Sequence, residues 1–156
     1  MKTTVINQQT NHPIQLKNIQ KLTDWLGKKL EQRTAPKSWG EITLILVDDE
    51  GITQPNAEYF GKNRPTDVIS FRYDAIPGEE ESFTGDLIVN VDRATQEGAK
   101  RDGKEHELAL YIAHGFDHLA GSEDDTPEKR AAMLATEIQW LEDALQEKIL
   151  LPLFGS

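Results

Sequence analysis

Residues 2–7 (KTTVIN) carry a short strand-like pattern around Val5 and Ile6, and after His12-Pro13 the spacing of Leu16, Ile19, Leu22, Leu26 and Leu30 turns helical. The helix is expected to fail near Thr34, because Ala35-Pro36 and then Gly40 break any helical pattern. Residues 41–47 (EITLILV) read as a buried strand, residues 48–51 (DDEG) as a turn, and residues 56–60 as a short helix or loop ahead of Gly61. Two further strands follow, at residues 67–73 (DVISFRY) and 86–91 (DLIVNV). An exposed acidic loop over residues 74–82, with Glu79, Glu80 and Glu81 beside Pro77 and Gly78, joins them as a hairpin.

From residue 92 onward the pattern is helical in three pieces: residues 92–100, residues 104–120, and a long helix with Thr126 as N-cap and Pro127 at its first position. Leu134, Ile138, Leu141 and Leu145 are the expected core face of that last helix. Strands early and helices late predict an α+β fold, a small mixed β-sheet covered by helices. Neither an internal repeat nor a low-complexity linker divides the chain, so residues 1–156 read as a single domain.

Composition narrows the chemistry. At 37% hydrophobic and 28% charged residues the chain is globular in type. With no cysteine, disulfides, thiolate nucleophiles and Cys-held zinc are excluded, so any metal site must use histidine and carboxylate. The N-terminal stretch lacks an apolar signal core and the apolar runs are far shorter than a membrane span, which makes the expected location cytoplasmic, without a membrane partner. A net charge of −10 argues against affinity drawn from a blanket of Lys and Arg. A nucleic-acid ligand fits only where basic residues collect locally, as Lys62, Arg64 and Arg72, with Lys100, Arg101 and Lys104, would allow.

The informative segment is HGFDHLAGSED, from His114 to Asp124. His114 and His118 are four apart, so on a helix their rings project from one face and can converge on one ion. They lie about a quarter turn from the core stripe of Leu108, Tyr111, Ile112 and Leu119, at the rim of the core. Gly121 can end the helix in the left-handed conformation, letting the chain double back. Asp124 then completes a three-ligand set with a fourth position free, with Glu123 and Asp125 as competing carboxylates. Such a pair is also a common structural feature at core edges, and spacing alone does not decide. A zinc peptidase would carry a glutamate after the first histidine, and this chain has Gly115.

This run resembles the signature of the YbeY family, metal-dependent endoribonucleases of ribosomal RNA maturation. PTDVISF at residues 65–71 is similar to the family's second signature, and Gly85 to Val89 to the strand that follows it. The resemblance implies one zinc ion per chain, or another first-row divalent metal, held by His114, His118 and Asp124 on a central helix. It also implies a single-strand-specific nuclease that trims the 3′ end of small-subunit ribosomal RNA and serves ribosome quality control. The implied partners are ribosomal RNA and the small ribosomal subunit, with a ribosome-assembly GTPase beside them.

Three positions depart from the family's pattern. Phe60 stands where relatives carry an arginine expected to contact the scissile phosphate, and Lys62 and Arg64 are the candidates to replace it catalytically. Asp117 stands where an apolar residue is usual, and Ser122 where an aromatic is usual. Lys62, Arg64 and Arg72 are the expected RNA-binding residues, and Tyr59, Phe60 and Phe71 are candidates to stack bases. The alternative reading is an assembly factor that holds metal and binds RNA without cutting it.

Overall fold

The computed structural model describes residues 1–75 and 82–155. The chain runs β1 (Lys2–Asn7), α1 (Leu16–Thr34), β2 (Trp39–Val47), α2 (Asp49–Phe60), β3 (Val68–Tyr73), β4 (Phe83–Asn90), α3 (Val91–Gly98), α4 (Lys104–Leu119) and α5 (Pro127–Gln146). The four strands make one sheet in the order β1-β2-β4-β3. β1 and β4 lie parallel to β2 on either side, and β3 pairs antiparallel to β4 at the edge. The fold is therefore α+β with a small mixed sheet covered by helices. Most of the acidic connection expected between β3 and β4, residues 76–81, lies outside the described residues.

Alternation along β2 sends Ile42, Leu44 and Leu46 to one face, where they meet Leu87 and Val89 of β4. The stripe Ile19, Leu22, Leu26 and Leu30 of α1, with Leu108, Ile112 and Phe116 of α4, completes this fully buried core. Each such side chain contributes roughly 1.5–3 kcal/mol by leaving water. A smaller cluster of Val47, Ile52 and Ile69 fills the other face beneath α2. α4 is the central helix, packed against α1, α3, α5, β3 and β4. Gly115 lets it lie close to the sheet, since a Cβ there would meet the Leu87 side chain at 3.0 Å.

Two expectations are corrected. Residues 48–51 are no turn but the start of a twelve-residue helix, α2. Asp48 caps it by accepting a hydrogen bond from the Gly51 N–H at 2.8 Å, and Asp49 and Glu50 add favourable charge to the first turn. The same Asp-rich residues serve turns and helix starts alike, which hid the distinction. The core face of α5 is also rotated: Leu134, Ile138 and Leu145 are exposed, and Met133, Glu137, Trp140, Leu141 and Ala144 are buried. A buried glutamate in that stripe broke the apolar pattern. Among the described residues no helix is long and apolar enough to cross a membrane.

Candidate metal centre

The last turns of α4 bring the two imidazoles together, with ring centroids 4.4 Å apart and planes at 82°. His114 Nε2 and His118 Nε2 are 3.0 Å apart. The helix then closes on Gly121 at φ +97°, whose N–H donates to the His118 carbonyl at 2.9 Å while the Ser122 N–H donates to the Asp117 carbonyl. A side chain at that φ would be strained, so the reversal depends on glycine. The reversed chain places Asp124 Oδ2 3.5 Å from His118 Nε2. Donor atoms of His114, His118 and Asp124 all lie within 4.8 Å of one another. The competing carboxylates turn elsewhere: Glu123 and Asp125 each pair with Lys129 at 3.0 Å.

What surrounds the triad fixes its orientation. His118 Nδ1 donates to the Ser122 carbonyl at 3.2 Å, and His114 Nδ1 faces both oxygens of Glu137 at 3.1 Å. Arg130, in the second turn of α5, donates to the Asp124 carbonyl at 3.1 Å. With both Nδ1 atoms facing acceptors, both Nε2 lone pairs are directed at the same point, where a cation relieves their repulsion. A tetrahedral ion with metal–nitrogen distances of about 2.0–2.1 Å holds its donors about 3.3 Å apart. The observed 3.0 and 3.5 Å separations bracket that value. The residues present therefore fit a divalent ion of the kind that takes imidazole and carboxylate.

Electrostatics agree with the geometry. Burial disfavours the charged form of His114, but the hydrogen bond and charge of Glu137, with Asp67 and Asp124 behind them, outweigh it and raise its pKa. Burial pushes the Glu137 carboxyl up to about 7, with His114 opposing and Asp117 adding to the rise.

The triad opens on a cleft of about 580 Å³ that is also lined by Phe60, Lys62, Asp67 and Arg72. Lys62 and Arg72 thus share the cleft with the histidines. Arg64 does not line it: its N–H donates to the Lys62 carbonyl, its own carbonyl accepts from Asn56, and the residue is exposed. Of the outlying cations, Arg101 lines a second cavity of about 280 Å³ together with His114 and Asp124. Lys100 and Arg101 pair with Glu97, Arg101 also with Glu107, and Lys104 lies over the Phe154 ring. His12 is a half-buried partner of Asp92 at 2.7 Å.

Four supporting groups were not anticipated from the chain as supports of the site. Glu137 had a legible signal, a charged residue at helical spacing among Met133, Trp140, Leu141 and Ala144. Arg33, Asp117 and Ser122 had none until the fold joined them. Arg33 Nη1 donates to the fully buried Asp117 at 2.6 Å, Arg33 Nη2 donates to Ser122 Oγ at 2.7 Å, and Ser122 Oγ donates to Asp117 at 2.7 Å. The two polar departures noted above therefore form one network.

The model of the family described as Endoribonuclease YbeY matches residues 4–144. The Endoribonuclease YbeY of Bacillus pumilus is 36% identical over 141 residues, covering 83% of this chain and 85% of that protein. Its counterpart from Petrotoga mobilis is 30% identical, covering 95% of this chain and 99% of the relative. The counterpart from Halalkalibacterium halodurans is 42% identical, covering 63% and 69%. The solution structure of TM1509 from Thermotoga maritima superposes with a TM-score of 0.59 at 18% identity, covering 95% of this chain and 93% of that one, a likeness of fold.

Proposed function

The chain belongs to the endoribonuclease YbeY family, and from that premise we propose that it is a single-strand-specific metal-dependent endoribonuclease, acting in the cytoplasm on the 3′ end of small-subunit ribosomal RNA and in ribosome quality control. The single observation that carries the reading is the convergence of His114, His118 and Asp124 within 4.8 Å of one another in the lining of one cleft. Zinc suits the donor set best, with another first-row divalent metal as the substitute. The ion's contribution when bound is Lewis acidity toward a phosphoryl oxygen and a water molecule.

The protein's own groups do the rest. Glu137 and the Ser122 carbonyl hold the imidazoles so that Nε2 faces the cleft. Arg130 holds the Asp124 backbone in place. Lys62 and Arg72 offer positive charge to the scissile phosphate and its neighbours. Lys62, which lines the cleft, and the exposed Arg64 two residues on are the candidates for the role of the arginine that Phe60 replaces. The partners consistent with this activity are ribosomal RNA and the small ribosomal subunit, with a ribosome-assembly GTPase beside them.

The test is cleavage of fragments spanning the 3′ end of small-subunit ribosomal RNA. Chelator-sensitive cleavage that His118→Ala abolishes is the expected result. Elemental analysis should find about one equivalent of metal per chain, falling sharply in Asp124→Ala. One observation favours a second reading, an assembly factor that binds RNA without cutting it: Phe60 lines the cleft where an arginine is expected. Losing one such donor costs about 10²–10³ in rate. Metal and RNA bound without cleavage, with cleavage appearing in Phe60→Arg, would select that reading.

A further inference from the structure

Tyr59, Phe60, Phe71 and Tyr73 form a continuous row of rings along the edge of the sheet. Tyr59 and Phe60 end α2, while Phe71 and Tyr73 sit on one face of β3, the edge strand. Tyr59 meets Phe71 edge-on at 4.9 Å between centroids. Phe60 and Tyr73 flank Phe71 at 6.2 and 6.5 Å, with planes inclined by only 16° and 24°. Core packing accounts for Phe71, which joins the cluster of Val47, Ile52 and Ile69. It does not account for Tyr59, Phe60 and Tyr73, which are 62%, 53% and 48% exposed. Exposed apolar groups are usually scattered singly, and a contiguous patch marks an interaction surface.

Two further observations select the occupant. The row is continuous with the metal cleft, because Phe60 lines that cleft together with Lys62 and Arg72. At the Tyr73 end Asp86 accepts from the Tyr73 hydroxyl and Asp74 pairs with Arg72, while at the cleft end Lys62 and Arg72 stand beside Asp67 and the Asp124 donor. A strand of nucleic acid matches this layout, with base faces on the rings and phosphates toward the cations at the cleft end. A chain of net charge −10 has little general attraction for a polyanion, so ring stacking, which needs no charge, has to supply much of the affinity.

We propose that Tyr59, Phe60, Phe71 and Tyr73 are a stacking platform for unpaired bases of an RNA strand whose backbone passes Lys62 and Arg72 into the metal cleft. This rests on the nuclease reading of the cleft and adds what holds the strand beside it. The replacement of an arginine by Phe60 then has a use of its own, extending the platform to the cleft wall.

The test is anisotropy titration of the metal-loaded full chain with a labelled, 2′-O-methylated single strand of about 12 nucleotides, within the span of such binding surfaces. Tyr59→Ala, Phe60→Ala and Tyr73→Ala should each weaken binding about five-fold or more, as removal of a stacking ring does. The dependence on salt should not change, because no phosphate contact is lost. Phe60→Trp should bind at least as well as the wild type, and a strand with abasic sites should bind the wild type as weakly as a normal strand binds the alanine variants. Unchanged metal content and melting temperature in Tyr59→Ala and Tyr73→Ala keep folding out of the result. Ring variants that bind like the wild type overturn the platform, as does indifference to abasic sites. So does a wild-type self-association that these variants dissolve and RNA does not displace. Wild-type cleavage of ribosomal RNA on the same preparations separates the two readings. Cleavage with ring-insensitive binding overturns the platform alone, ring-dependent binding without cleavage supports it and overturns the nuclease, and neither binding nor cleavage overturns both.

Discussion

Glu137 faces His114 Nδ1 with both carboxylate oxygens at 3.1 Å, and only 2% of its side chain is exposed. A carboxylate in that position fixes the ring's tautomer and makes its other nitrogen a better donor to metal. Glu137→Gln is therefore expected to weaken metal affinity by about 10–100-fold while leaving the three donors in place, which a competition titration with a chromophoric chelator measures. A second buried carboxylate, Asp117, depends on Arg33 and Ser122, and among the described residues its Oδ2 has no hydrogen-bond partner. Removing the guanidinium leaves a buried charge uncompensated, so Arg33→Met should cost about 3 kcal/mol in denaturant unfolding. Arg33→Met combined with Asp117→Leu should recover most of that loss, because an apolar pair needs no compensation. His114 and His118 were legible in the chain because i, i+4 spacing is a local rule, and the helix-ending glycine narrowed the third donor to Glu123, Asp124 or Asp125. The partners of Glu137 and Arg33 were not legible, although Glu137 stands out as a charge at core spacing, because the contacts His114–Glu137 and Arg33–Asp117 span 23 and 84 residues.

Among the elements, α4 and its exit matter most to the site. Gly121 adopts φ +97°, and the reversal it permits carries Asp124 back to the histidines. Gly121→Ala should destabilise the protein by about 1–2 kcal/mol, the cost of a left-handed side-chain-bearing residue, and should also reduce metal content. Calorimetry with parallel elemental analysis reads both effects. A loss of stability with full metal content would show that Asp124 reaches the site without this turn. Element types were largely readable from periodicity: α1, α4 and the start of α5 fall where apolar spacing, Pro127 and the Thr126 cap put them. α2 was not, since Asp48, Asp49, Glu50 and Gly51 suit a turn as well as a helix start. The face of α5 was misread because a glutamate bonded to histidine occupies a core position.

At the scale of the whole molecule, Asp92 ties together segments far apart in the chain. Its carboxylate accepts from the Asp49 N–H at 2.9 Å and from Asn11, and it pairs with His12 at 2.7 Å, joining the stretch before α1 to the starts of α2 and α3. Burial alone would raise its pKa, but the hydrogen bonds from Asp49, His12 and Asn11 win and lower it below 3.8. A carboxyl lowered on folding stabilises the native state above its unfolded pKa, and that support is lost as pH falls through the folded value. Asp92→Asn should therefore cost about 1.5–3 kcal/mol near neutral pH, the worth of hydrogen bonds to a charged group, and the gap to wild type should close in strong acid. Unfolding curves at several pH values check the sign; a gap independent of pH would mean that the charge plays no part. By itself the sequence determined the α+β class, most of the elements and the histidine pair, because periodicity, caps and i, i+4 spacing act within a few residues. Only the tertiary structure decided which carboxylate turns to the histidines, which cations share their cleft, and what holds each imidazole. Those outcomes depend on where α5, β3 and the end of α2 pack around α4, and that packing joins residues whose separation along the chain carries no pattern to read.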